Sequence, residues 1–134
     1  MSHNITMAGV KFTDMGLLGS IVTQLSNGQA NLDMTATSFR TYVGQPTGCD
    51  AAIRMPGKHD VGLKKNGDAS YSPVFDPYDM QPVFRAQGGS SMIGELQREY
   101  GLQMAEYEAA QNGYTTERVS NDKTGVVSLE LTEA

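Results

Sequence analysis

Few side chains in these 134 residues have the types and spacing that chemistry requires. His3, Cys49 and His59 are the whole supply of imidazole and thiol. A structural zinc site usually takes four such ligands, so three scattered ones do not make one. His3 stands third, the spacing that lets an amino terminus bind copper, but the small Ser2 favours removal of the initiator Met, and the histidine then becomes second. Cys49 with His59 as its base would be a nucleophile pair. A cysteine at the start of an apolar strand is otherwise a small core residue. Asp76 and Asp79 in "DPYD" would hold a divalent cation or simply turn the chain before a proline. No GxxxxGK[ST] or GxGxxG motif occurs, so nothing marks a phosphate-binding loop. The reading is of a chain with no cofactor and no metal, leaning away from an enzyme.

Two polar groups remain. Arg40 and Tyr42 share one face of an extended segment, and Gly44 and Gln45 follow. They form either a contact site for a partner or ligand, or an Arg–carboxylate pair beside a glycine turn. Glu95, Glu99 and Glu106, with Glu108, line the helix that spans the last third. Glu95 and Glu99 are a like-charge i,i+4 pair, which costs a few tenths of a kcal/mol. The row is either a solvated face or a patch for a basic partner, since complementary charge steers association.

The charge distribution sharpens that choice. The net charge is −5. Up to residue 89, seven Lys/Arg balance seven Asp; beyond it, Arg98, Arg118 and Lys123 stand against eight acids. A nucleic-acid binder draws most of its affinity from basic groups on phosphates, so direct nucleic-acid binding is not expected. No apolar run reaches the length of roughly 18 residues that a membrane helix needs. One cysteine and no signal peptide suit a cytoplasmic setting in a bacterial or phage-infected cell.

The elements that position these groups are legible from periodicity. A strand runs from His3 to Phe12, with a slip in alternation that suggests a bulge near Ala8-Gly9. Thr13 or Asp14 caps a helix carrying Leu18, Ile21, Val22 and Leu25, closed by Asn27-Gly28. Thr-rich alternation predicts a strand within residues 30–43, best from Thr37 to Val43. "GQPTG" is a turn, "CDAAIRM" a strand, "PGKH" a turn and "DVGLK" a strand. "NGD" from Asn66 to Asp68 signals a hairpin with positive φ at Asn-Gly. "ASYSPVFD" returns, and Pro73 demotes it to an edge or ends its pairing early. A long loop over residues 76–89 follows. A helix from about Ser90 to Asn112 presents Ile93, Leu96, Tyr100, Met104 and Tyr107 as one apolar stripe. "TTERVS" and "VVSLELT" end the chain as strands. The order β-α-β-β-β-β-α-β-β predicts an α+β fold as one domain, residues 1–134. It reads as an antiparallel sheet with two helices on one face, a ferredoxin-like βαββαβ core with an inserted hairpin.

The ordered set "MSH", "RTYVGQ", "DAAIR", "DVGLKKNGDASY", "REYGLQMAEYEAAQNGY" and "DKTGVVSLELT" resembles a family of unknown function. That family is typified by the hypothetical chloroplast reading frame thirty-five product and has plastid, cyanobacterial and phage members. The likeness covers nearly the whole chain. It departs in the first helix, "DMGLLGSIVTQLS", which is poorer in charge than usual, and in the lack of Trp. Some members sit near genes for AAA-type ATPases, so the resemblance implies an accessory or adaptor role with a protein partner.

The expected function is therefore a non-enzymatic interaction module, with Glu95, Glu99, Glu106, Arg40, Tyr42 and Gln45 as partner-binding residues. One alternative is a small-ligand binder or enzyme built on loop 76–89. Another is a phage-encoded acidic inhibitor of a host DNA-binding protein. Pairing of a sheet edge with a second copy would make a homo-oligomer.

Overall fold

The structure is a computed structural model that describes residues 5–6, 11–41, 47–56, 59–75, 92–120, 123 and 127–133. Its centre is a five-stranded antiparallel sheet in the order β1-β7-β6-β5-β2. These strands are β1 (Ile5–Thr6), β2 (Asn31–Asp33), β5 (Ala51–Arg54), β6 (Val61–Lys65) and β7 (Tyr71–Phe75). A small second sheet pairs β3 (Ser38–Phe39) with β4 (Thr47–Gly48), and a third pairs β8 (Tyr114–Ser120) with β9 (Val127–Glu133). The helices are α1 (Met15–Leu25) and α2 (Met92–Gln111). The α+β class follows.

Local chemistry explains where the elements begin and end. Asp14 caps α1, its Oδ1 accepting from the Leu17 N–H at 3.0 Å, which satisfies one of the helix's orphan donors. Asn27 and Gly28 end the helix at φ 56° and 81°, in the left-handed region that stops an α-helix. Leu18, Ile21 and Val22 are fully buried, so packing offsets the two helix glycines. The expected strand over residues 30–43 is cut in two. Asp33 Oδ1 accepts from both the N–H and the hydroxyl of Thr35, at 3.0 and 2.7 Å. That local turn competes with the sheet ladder and ends β2. Thr47 and Gly48, expected in a turn, instead pair with Phe39 and Ser38. The expected bulge at Ala8-Gly9 lies outside the described residues.

Two further expectations are corrected. Pro73 does not make β7 an edge. It faces Leu63 of β6, and on the other side Val74, Phe75 and Tyr71 pair with Thr6, Ile5 and Phe12. The described pairs on that side fall to either side of the proline, so its missing N–H breaks none of them. At the hairpin, the positive φ falls on Ala69 (68°) rather than on Asn66-Gly67. Asn66 N–H donates to the Ser70 carbonyl at 2.7 Å, and three residues lie between them, a loop that ends in a left-handed residue.

The sheet is covered on both sides. On one face α1 and α2 pack Leu18, Ile21, Val22, Leu96 and Tyr100 against Ala51, Ile53, Val61 and Leu63. On the other, Phe39 of the small sheet packs with Ala36, Ala52 and Val74. Ala51, Ala52 and Ile53 are all buried because alternate residues meet different layers. Phe39 lies so close over Gly62 that a Cβ there would fall within 3 Å of three ring atoms.

The topology is α+β but departs from the ferredoxin-like order. β1 and β2, joined through α1, are parallel at opposite edges, with β7, β6 and β5 between them. That is a split βαβ unit with three strands in the gap. After α2 the described chain enters β8, which pairs with β9 in a sheet of its own. Only Thr116 of β8 is even partly buried, so the strand lacks the buried alternation that a central sheet position demands.

Candidate functional site

Arg40 stands just after β3, and its partner is Asp60, immediately before β6. The Asp60 side chain is fully buried. Arg40 donates from Nε to Oδ2 at 3.0 Å and from Nη2 to Oδ1 at 2.7 Å, a bidentate fork. The backbone N–H groups of Arg40 and Met55 add bonds at 3.1 and 3.0 Å, and Arg54 Nη1 a fifth at 3.2 Å. Burial alone would raise this carboxyl; the Arg40 side chain, then the N–H groups of Met55 and Arg40, bring it down to about 2. Arg40 Nη2 also donates to the Met55 carbonyl at 2.6 Å. Arg54 extends the knot to the Ser38 carbonyl and to Asp33.

This knot pins β3 over the β5–β6 hairpin. Arg40 Nε and Nη2 are thus turned onto protein, in the Arg–carboxylate pair that was one of the two readings of this residue. Tyr42 and Gln45 lie outside the described residues, as do His3, Asp76, Asp79 and loop 76–89. Sequence reasoning anticipated a carboxylate partner for Arg40 but did not name Asp60. The available signal was an acid placed directly before the apolar run Val61–Leu63, where only a well-bonded carboxylate can be buried.

Cys49 is partly buried against the Phe39 cluster. Burial pushes its thiol up from the ordinary value, so at neutral pH it is protonated and a poor nucleophile. Among the described residues no group of three or more His, Cys, Asp and Glu could hold a metal ion.

The three helix glutamates are not a bare acidic face. Glu95 is 4% exposed, and both its oxygens accept from Arg98 Nη2 at 2.7 Å. Glu99 and Glu106 share Arg118, which reaches across from β8. Arg118 Nη2 lies 2.9 Å from Glu99 Oε1 and 2.6 Å from Glu106 Oε1. Its Nη1 and Nε add bonds to Glu99 and Glu106 at 3.0 and 3.2 Å. The Glu106 and then the Glu99 carboxylate raise the guanidinium further above its already high value. Burial would raise the Glu99 carboxyl, but Arg118, then Gln103, hold it below the carboxylate range. Arg118 is thus a clamp between α2 and the β8–β9 hairpin. An i,i+4 glutamate pair that looks costly on an isolated helix is relieved by Arg98, one turn along the same helix, and by Arg118, which the sequence could not place beside it.

Two concavities flank the clamp. One, of about 510 Å³, lies where the end of α1 meets α2 and the hairpin, with Gln24, Glu95, Arg98, Glu99, Arg118 and Ser120 in its wall. The other, of about 540 Å³, is an open groove between the end of α2 and the hairpin, walled by Ala105, Ala109, Tyr114, Leu129 and Leu131. The apolar stripe of α2 changes role along its length. Leu96 and Tyr100 are buried and Met104 packs on the core cluster, but Tyr107 is 66% exposed. Leu131, at 54%, is the most exposed apolar residue among the described residues of the hairpin.

Comparison with known proteins gives a family and no activity. The family described as "Protein of unknown function (DUF1257)" matches residues 25–130. The chain belongs to that family, and the resemblance to a family of unknown function is borne out. No curated protein matches the chain, and no solved structure does. No helix among the described residues is long and apolar enough to cross a membrane.

Proposed function

We propose that this chain is a non-enzymatic protein-interaction module, and that α2 with the β8–β9 hairpin is its docking element. One observation carries the reading. Tyr114 and Leu131 expose large apolar surface along a groove that they wall together with Ala105, Ala109 and Leu129. Contiguous exposed apolar surface rimmed by polar groups marks interaction sites. Glu99 and Glu106 serve the element by holding the hairpin through Arg118, and Glu95 by seating Arg98. The family resemblance suggests the class of partner: an AAA-type ATPase to which the chain would be an accessory.

The test is capture of partners by the tagged full chain from its native lysate, with and without ATP, compared with Leu131→Asp and Tyr114→Ser. Both positions are exposed, so the variants should fold. The expected result is a partner retained by the parent chain and lost by the variants, with nucleotide changing the yield. Equal capture by all three proteins would move the docking element elsewhere.

The polar concavity beside Arg98 and Arg118 favours a second reading as a small-ligand binder. Its volume lies within the range of about 300–1,000 Å³ typical of ligand pockets. Its four charged wall residues are already bonded to one another or to Glu106, so a ligand would have to displace those partners. The acidic-inhibitor reading calls for a run of free carboxylates on α2, and Glu95, Glu99 and Glu106 are each held by an arginine.

A further inference from the structure

Glu95, Glu99 and Glu106 of α2 are paired with arginines, whereas Glu117 and Glu130 of the hairpin have no bonded cation among the described residues. Side chains alternate along each strand. Arg118 and its cross-strand neighbour Leu129 point to the α2 side, because Arg118 bonds Glu99 and Glu106. Glu117 and Glu130 are the next pair in register, and both are exposed on the opposite side. The two carboxylates therefore face each other directly across the ladder. Like charges in that position destabilise a strand pair. Thr115, Val119, Ser128 and Thr132 complete the exposed outer face. Among the described residues β9 pairs only with β8, and none pairs with its other edge.

We infer that the outer edge of β9 receives an extended basic segment of a partner protein, which adds as a third strand. The inference rests on the interaction-module reading and names the chemistry of its partner. Main-chain bonds to the edge would supply affinity, and alternate side chains specificity. Strands are spaced by about 4.8 Å. Lys or Arg on the outer face of the added strand therefore comes beside Glu130, one strand away, and reaches toward Glu117, two strands away. A cation there offsets the Glu117–Glu130 repulsion, which nothing within the described fold does. A second copy of this chain is a poor occupant. An added copy of β8 or β9 would bring further glutamates onto an already acidic face.

The probe is a synthetic strand-forming peptide of alternating Lys and Val, titrated calorimetrically into the full chain. Its controls are the same peptide with Glu for Lys and the same peptide with a central Pro. The basic peptide should bind saturably and weaken with salt. The Glu and Pro peptides should bind at least about tenfold more weakly, since one loses the charge and the other the edge pairing. Glu130→Lys is the decisive variant. It turns the repulsive Glu117–Glu130 pair into an attractive one, so the hairpin should be steadier, yet peptide affinity should fall about tenfold. Equal binding of the Pro peptide, unchanged affinity in Glu130→Lys, or self-association that competes with the peptide would each overturn the strand-addition inference. If lysate capture survives Glu130→Lys but fails in Leu131→Asp, the module reading stands and this inference alone falls.

Discussion

Arg40 grips the buried carboxylate of Asp60 with both Nε and Nη2, at 3.0 and 2.7 Å. The Asp60 side chain is fully covered while that of Arg40 stays half exposed. The pair is therefore asymmetric: the acid has no recourse to water, and the base does. Removing the acid's charge should cost more than trimming the base. Asp60→Asn should destabilise the chain by about 3 kcal/mol, the usual scale for breaking a buried pair from one side.

The same pair sets a pH dependence. The folded Asp60 carboxyl titrates at about 2, below the unfolded value of about 3.9. The unfolded state thus binds the proton first as pH falls. The stabilisation is present above about pH 4 and is lost on descent through about pH 2; it amounts to about 2–3 kcal/mol. Urea midpoints of the parent and Asp60→Asn should converge across that window. A gap that stays constant from pH 5 to pH 2 would mean that the carboxylate charge is not what stabilises the knot.

Gly62 lies beneath the Phe39 ring, with no space for a Cβ. Gly62→Ala should destabilise by about 2 kcal/mol or more, as overpacking does in a filled core. Phe39→Leu would leave a smaller void, and the double variant should be less unstable than the sum of the singles. Denaturation of all four proteins gives the coupling, and simple additivity would show that the two residues do not contend for the same space.

The helices and the meander were legible in the sequence because their causes are local. Asp14, Asn27 and Gly28 mark the bounds of α1, and Val61 to Phe75 reads as two strands around a turn. The break of residues 30–43 was not legible, because Asp33 turning onto Thr35 competes on equal terms with the Thr-rich alternation. Nor was the escape of β8 from the central sheet, since "TTERVS" suits a strand in either place. At the candidate site, the residue types were visible but their partners were not. Glu99 and Glu106 became a clamp only when Arg118 came to rest between them, a contact set by how the hairpin folds back on α2.

Ala69 holds a φ of 68°, where a Cβ crowds the backbone at a cost of about 1–2 kcal/mol. Glycine would remove that strain but lose more chain entropy on folding. The net expectation for Ala69→Gly is a gain of about 0.5–1 kcal/mol. A higher urea midpoint with an unchanged slope would bear this out, and a lower one would show that the turn tolerates alanine without strain.

Arg118 joins two carboxylates of α2 to the β8–β9 hairpin. Its loss should therefore act locally. Arg118→Met keeps the stem but not the charge, and leaves Glu99 and Glu106 repelling each other. Hydrogen exchange of the β8 and β9 amides should accelerate about tenfold, while those of β5 and β6, buried between two layers, should change little. High salt should narrow the difference between parent and variant, because the clamp is partly open to solvent and is screened. Exchange that rises equally in β5 and β8 would show that the hairpin and the central sheet open as one unit. The docking element would then be no more adaptable than the core it stands on.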